Sequence, residues 1–157
     1  MSRRDDVSAR LAEAAESWLL ARGATVLRYE APAAFEVAQL AAWIADSGEV
    51  DAIVACGCIV RGESVHDRHL GAAVTGSLLE AAVRTGVPIG NAVLTVESRS
   101  QAAARSGGAK GNRGEDAARA AAGLLHARRS ALPRRAAAGG RRLPVDLGPA
   151  PLRRRGG

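Results

Sequence analysis

Aromatic side chains are scarce in this 157-residue chain, which has two tryptophans, one tyrosine and one phenylalanine. A hydrophobic core must therefore be built from aliphatic side chains. Hydrophobic residues make up 47% of the chain and charged residues 24%, which is typical of a globular protein and excludes a wholly disordered one. The length suits one domain of ordinary size.

Cysteines and long apolar runs are also few. Cys56 and Cys58 cannot form a disulfide framework, and positions i and i+2 of one strand are poorly placed to bridge, so we expect a reducing, cytoplasmic compartment. No apolar run approaches the roughly 18 residues that a membrane span needs. The first ten residues lack the apolar segment of a secretory signal, so we expect neither membrane insertion nor secretion.

Positive charge is concentrated at one end of the chain, although the net charge is +6. Residues 127–157 hold nine arginines and one acidic residue, whereas residues 1–126 hold thirteen basic and fifteen acidic residues. The sequence therefore predicts a mildly acidic domain over 1–126. It predicts a disordered tail, rich in arginine, proline and glycine, over 127–157.

Helical and strand patterns alternate along the predicted domain. Apolar spacing predicts helices over 5–22, 32–48, 66–85, 98–105 and 115–129, and strands over 25–30, 52–60 and 87–96. The second strand is a nearly continuous apolar run, as in strands buried on both faces. The alternation predicts a parallel sheet with helices on both faces, and ligands in such folds bind at the carboxyl ends of the strands.

The loop after the second predicted strand carries groups suited to an anion and to proton transfer. Gly62 lets backbone N–H groups face outward, Ser64 adds a hydroxyl, and the following helix N-terminus favours negative charge. His66 begins that helix, and a histidine side chain exchanges protons near neutral pH. From these residues alone, a plain turn followed by a surface histidine is the favoured interpretation.

Other polar residues near the loops allow two interpretations each. Arg105 precedes a glycine-rich loop and could bind phosphate or cap its helix. Glu36 could bind a ligand hydroxyl or favour the first turn of its helix. A metal site built from Cys56, Cys58, His66 and His69 matches no structural-zinc spacing, so we expect buried thiols and no metal.

Four segments, in this order and spacing, resemble the lumazine synthase (6,7-dimethyl-8-ribityllumazine synthase) family. They are APAAFE at 31–36, GCIVRGESVH at 57–66, GVPIGNAVLTVES at 86–98 and QAAARSGGAKGNRG at 101–114. The resemblance runs from about Leu11 to Leu125. It implies a three-layer αβα, flavodoxin-like fold. It also implies the condensation of 5-amino-6-(ribitylamino)uracil with 3,4-dihydroxy-2-butanone 4-phosphate, a step of riboflavin biosynthesis that uses no metal or cofactor.

The resemblance also implies roles for individual residues. His66 matches the proton-transferring histidine, and Arg105 matches the phosphate-binding arginine. The anion-binding turn corresponds to Gly62, Glu63 and Ser64. The residues that correspond to the pyrimidine and ribityl pocket are Phe35, Glu36, Ile59, Val60, Asn91 and Arg113.

The sequence departs from the family pattern at several positions. Ser64 replaces a threonine, Arg113 replaces a lysine, and the 67–69 and 72–73 segments also differ. Family members begin with an interior strand that carries a stacking aromatic, and only ten residues precede Leu11 here. We therefore expect a sheet without that strand. The cause would be a truncated start, a divergent paralogue or a shifted reading frame.

Small-molecule substrates and copies of the same chain are the partners that the resemblance implies. It predicts a pentamer, and it leaves open a decamer or a 60-subunit shell. The alternative is a non-catalytic oligomer that binds a flavin-like or phosphorylated ligand. We do not expect nucleic-acid binding, because no aromatic platform accompanies the arginines of the tail.

Overall fold

The apolar run at 53–60 forms the strand around which the other elements are arranged. A computed structural model describes residues 6–131 and the backbone of residues 145–147. In chain order the elements are α1 Asp6–Leu20, β1 Val26–Leu27, α2 Ala34–Ser47, β2 Ile53–Val60, α3 His66–Thr85, β3 Ile89–Val96, α4 Arg99–Arg105, β4 Ser106–Gly108, β5 Gly111–Asn112, α5 Arg113–Ala131 and β6 Val145–Leu147.

Four of the strands form one parallel sheet, in the order β1-β6-β2-β3. The β2 and β3 strands pair along their whole length, from Ile53 opposite Ile89 to Val60 opposite Val96. The short β4 and β5 strands form a separate antiparallel pair within the predicted glycine-rich loop. The predicted α/β class, with a parallel sheet and helices on both faces, is confirmed.

Side chains of β2 are buried by helices on both sides of the sheet. Val54 and Cys56 pack with α1 and α5, whereas Ile53 and Ala55 pack with α2 and α3. Alternate residues of a strand face opposite sides, so both sets must be apolar. This double burial explains the continuous apolar run of β2.

The α2 and α3 helices are each followed directly by a glycine. Gly48 and Gly86 have φ values of 69° and 73°, which is the left-handed conformation that glycine adopts without strain. Arg84 of α3 reaches across to Asp46 of α2 with two hydrogen bonds of 2.5 and 2.9 Å. These bonds to Arg84 hold the pKa of Asp46 below its ordinary value.

The predicted tail over 127–157 differs from the structure in two places. The α5 helix continues through Ala131, and Val145–Leu147 forms β6 between β1 and β2. The interior position that we expected to find vacant is therefore occupied by a strand from after the last helix. The rest of the predicted tail, residues 132–144 and 148–157, lies outside the described residues.

A close approach between α1 and α5 fixes how the two helices pack. Gly114 lies so near the backbone of Leu11 that an added Cβ atom would overlap the Leu11 carbonyl oxygen. Leu11 is fully buried in the core on this side of the sheet.

None of the described helices is both long enough and apolar enough to cross a bilayer.

We expect Gly114→Ala to lower the free energy of unfolding by about 2 kcal/mol or more, because the new methyl group forces the two helix backbones apart. Gly123→Ala is a matched control on the same helix, since a Cβ atom there meets nothing within 4 Å. The control should be neutral or stabilise by about 0.5–1 kcal/mol. Urea unfolding of both variants measures the difference, and equal stabilities would contradict the close contact.

Candidate functional site

The β2 and β3 strands end side by side, and their following loops emerge at one edge of the sheet. Val60 and Val96 form the last residue pair of the two strands. The backbone N–H of Arg61 then donates to the carbonyl of Val96 at 2.8 Å, which extends the pairing by one step. Arg61 and Glu97 therefore leave the sheet together, and the segments that follow them are neighbours.

The turn after β2 holds the predicted anion-binding residues. Gly62, Glu63 and Ser64 are exposed, and the Ser64 hydroxyl oxygen accepts a hydrogen bond of 3.4 Å from the backbone N–H of His66. His66 is the first residue of α3 and its side chain is exposed. The turn thus presents polar groups and the positive end of the α3 dipole to solvent at this edge.

The segment after β3 forms a short helix that carries Arg105. Ser98 caps α4 by accepting from the backbone N–H of Gln101 at 3.3 Å, and the Gln101 amide oxygen accepts from the Glu97 N–H at 3.1 Å. Arg105 is half-buried and donates from Nη1 to the carbonyl of Gln101 at 3.3 Å. Gln101 therefore links the start of α4 to the end of β3, and its carbonyl holds the Arg105 side chain against the helix.

An ion pair that was not predicted from the sequence connects the ends of β2 and β3. Nη1 of Arg61 lies 2.5 Å from Oε2 of Glu97, and both side chains are about half exposed. The hydrogen bond to Glu97 raises the pKa of Arg61, with smaller contributions from the charges of Glu97 and Asp67. The available signal was that each residue directly follows an eight-residue strand of the same sheet.

The start of α2 and the end of β2 carry four further predicted residues. Phe35 is 52% exposed, and Glu36 is half-buried in the first turn of α2. Ile59 is buried near the end of β2, whereas Val60 is 37% exposed at its last position. The α2 helix follows β1, which is parallel to β6 and β2, so its first turn lies toward the same edge as the turn after β2.

Asn91 does not join the other predicted residues within the chain. It pairs with Ala55 near the start of β3, roughly 17 Å along the strand from Val96 at about 3.3 Å per residue. Its amide oxygen accepts from the Val93 N–H at 2.9 Å, and its amide nitrogen lies 3.5 Å from the Thr75 hydroxyl. Asn91 therefore lies near the start of β3, at the opposite end of the strand from the turn at 62–66.

Arg113 opens α5, and its guanidinium donates to Asp116 at 2.9 Å. The preceding Asn112 donates to the Arg10 carbonyl at 3.2 Å, which fixes the start of α5 against α1.

In the part of the chain that the structure describes, no group of three or more His, Cys, Asp or Glu residues is arranged to hold a metal ion.

Comparison with known proteins identifies one family. The family model for 6,7-dimethyl-8-ribityllumazine synthase matches residues 2–129 of this chain, which include all the predicted site residues.

Curated relatives with the same name agree with the family model. The protein of Methylobacterium radiotolerans is 42% identical over 100 residues, which cover 64% of this chain and 61% of that protein. The protein of Xanthomonas oryzae pv. oryzae is 41% identical over 95 residues, covering 60% and 62%. That of Chloroherpeton thalassium is 40% identical over 98 residues, covering 62% and 63%. The matched region thus spans somewhat less than two thirds of these relatives.

Reversing one charge of the ion pair should loosen the edge where the two loops emerge. We expect Arg61→Glu to speed amide hydrogen exchange in 61–66 and in α4, because Glu97 would then face a like charge. Adding Glu97→Arg restores opposite charges and should restore slow exchange. Exchange measured by mass spectrometry tests this, with β2 as the internal reference. Unchanged exchange in Arg61→Glu would show that the pair does not hold the loops.

Proposed function

Because the chain belongs to the 6,7-dimethyl-8-ribityllumazine synthase family, we propose that it condenses 5-amino-6-(ribitylamino)uracil with 3,4-dihydroxy-2-butanone 4-phosphate. The products are 6,7-dimethyl-8-ribityllumazine, phosphate and water, and the step belongs to riboflavin biosynthesis. The observation that carries the proposal is the in-register ending of β2 and β3, which sets the turn at 62–66 beside the segment that leads to Arg105.

We assign the phosphate of the second substrate to the turn after β2. The backbone of Gly62 and Glu63, the Ser64 hydroxyl and the N-terminus of α3 all favour an anion at this position. Arg105 supplies a formal positive charge from α4, and an arginine matches a phosphate in geometry as well as in charge. Nη1 of Arg105 donates to the Gln101 carbonyl, so substrate would have to replace or share that bond.

His66 is proposed as the residue that moves protons during the reaction. The substrate amine attacks the ketone and forms an imine with loss of water, phosphate leaves, and the ring closes with loss of a second water. Each stage transfers protons, and His66 lies two residues after the Ser64 hydroxyl of the phosphate turn. A histidine there can act as both acid and base near neutral pH. Holding the two substrates in the reactive orientation supplies much of the remaining rate enhancement.

The pyrimidine and ribityl groups of the first substrate are assigned to the start of α2 and the end of β2. Glu36 offers a carboxylate for ribityl hydroxyl groups, and Phe35 offers an exposed ring. Ile59 and Val60 would line the pyrimidine pocket at the end of β2. Asn91 and Arg113 are retained as pocket residues, and Asn91 would reach the pocket of a neighbouring subunit because it is remote in its own chain.

The face formed by α2 and α3 supports self-association. Trp43 of α2 is 68% exposed and Val83 of α3 is 76% exposed, and exposed apolar side chains on a surface can mark a protein–protein interface. A cleft of about 260 Å³ lies between the two helices and is lined by Phe35, Trp43 and Ala73 among others. We propose a homo-oligomer, a pentamer in the first instance, that buries this face and works in the cytoplasm without metal or cofactor.

We expect His66→Gln to lower kcat by about 10²- to 10⁴-fold, because a positioned acid–base group contributes that much to a proton transfer. His69→Gln is the matched control, one turn further along α3, and should keep nearly full activity. Lumazine absorbance measured with both substrates reports turnover. Equal loss in the two variants would contradict the role of His66.

The same assay on the unmodified chain separates the proposed enzyme from the non-catalytic alternative. Turnover supports the synthase. Tight binding of a flavin-like or phosphorylated ligand without turnover would instead support the ligand-binding oligomer.

Replacing the exposed apolar residues of α2 and α3 should break the assembly. We expect Trp43→Ser with Val83→Ser to reduce the mass in solution from a multiple of the 16.1 kDa chain toward the single chain. Leu124→Ser is the control, because Leu124 is comparably exposed, at 59%, on α5. Light scattering coupled to gel filtration measures the mass. An unchanged mass in the double variant would exclude this face as the interface.

A further inference from the structure

The strand β6 occupies an interior position of the sheet. Val145 lies opposite Val26 of β1, and Asp146 lies opposite both Leu27 of β1 and Ile53 of β2. All of these pairings are parallel. A three-residue segment from the arginine-rich end of the chain therefore has one strand on each side.

In the described sheet, β1 is joined to β2 through β6. Neighbouring strands lie about 4.8 Å apart, so β1 and β2 on either side of β6 are roughly 10 Å apart, too far for direct backbone hydrogen bonds. The N–H of Ile53 points the other way and donates to the Pro88 carbonyl at 2.8 Å. Because successive strand residues alternate, the backbone polar groups of Val54 face β6. With β6 in place Val54 is 1% exposed, so its backbone groups are buried and are paired by β6.

The end of α5 lies where a strand from the same chain can enter this position. Arg129, near the end of α5, forms an ion pair of 2.9 Å with Asp51, two residues before β2 begins. Since β6 is parallel to β2 and starts in register with its first residues, β6 begins at this same edge. Residues 132–144 connect the two ends and can span up to about 40 Å, so the connection needs no second chain.

We propose that Val145–Leu147 is a docking segment that closes the seam between β1 and β2 within one chain. It thereby holds β1, and the connection from β1 into α2, against the rest of the sheet. The basic end of the chain would then be part of the folded domain. The sheet would take its interior strand from after the last helix.

Cysteine crosslinking of the full chain tests the docking directly. Leu27 and Asp146 are register partners, and adjacent strands fall within the Cα separation of about 4.4–6.8 Å that a disulfide allows. We expect Leu27→Cys with Asp146→Cys to crosslink at least tenfold more than the control, Leu27→Cys with Ala137→Cys. Both variants retain Cys56 and Cys58. Mass spectrometry identifies the linked peptides, and a non-reducing gel shows whether the link lies within one chain.

Two crosslinking outcomes would overturn the proposal. Equal yields in the two variants would mean that β6 does not dock beside β1. A crosslink between two chains would mean that a second copy supplies the strand.

Hydrogen exchange gives a second measurement. Asp146→Pro removes a strand N–H group, and we expect at least tenfold faster exchange in segments containing Val26–Leu27 and Val54, with α3 unchanged. Ala137→Pro is the control outside β6. Unchanged exchange in Asp146→Pro would contradict the proposal. Neither measurement uses turnover, so both stand apart from the proposed enzymatic function.

Discussion

Burial of β2 on both faces is the constraint on which the rest of the domain depends. Val54 and Cys56 need the layer of α1 and α5, while Ile53 and Ala55 need the layer of α2 and α3. With few aromatics in the chain, many small aliphatic contacts must provide the burial. Close helix approaches follow from this, as at Gly114, where α5 meets the backbone of Leu11. Neither helical layer can move without exposing the strand.

The position of the candidate site follows from the same strand. Because β2 and β3 pair over eight residues and end together, the groups that follow them share one edge. The Arg61–Glu97 ion pair and the Gln101 contacts then orient the two segments that carry His66 and Arg105. Catalytic chemistry at this edge would therefore depend on strand register as much as on the residues themselves.

Much of the fold could be predicted from the sequence because its signals are local. The α3 helix has its predicted bounds, since its apolar residues recur every four positions and Gly86 ends it. The β2 strand agrees within a residue because its apolar run is bounded by polar residues. Short elements, and elements that depend on residues distant in the chain, were predicted less well from the sequence. The β4–β5 pair consists mostly of glycines, and β1 has only two strand residues where six were predicted.

The sequence by itself determined the element types, the two-faced burial of the central strand and the family, because periodicity, caps and loop motifs are carried by residues close together in the chain. Only the tertiary structure decided what fills the sheet between β1 and β2, and that Asn91 is remote from the turn at 62–66. It also decided that Arg61 meets Glu97. Each of these features depends on the relative positions of residues that are distant in the chain. Strand register and packing set those positions, and no local sequence pattern encodes them.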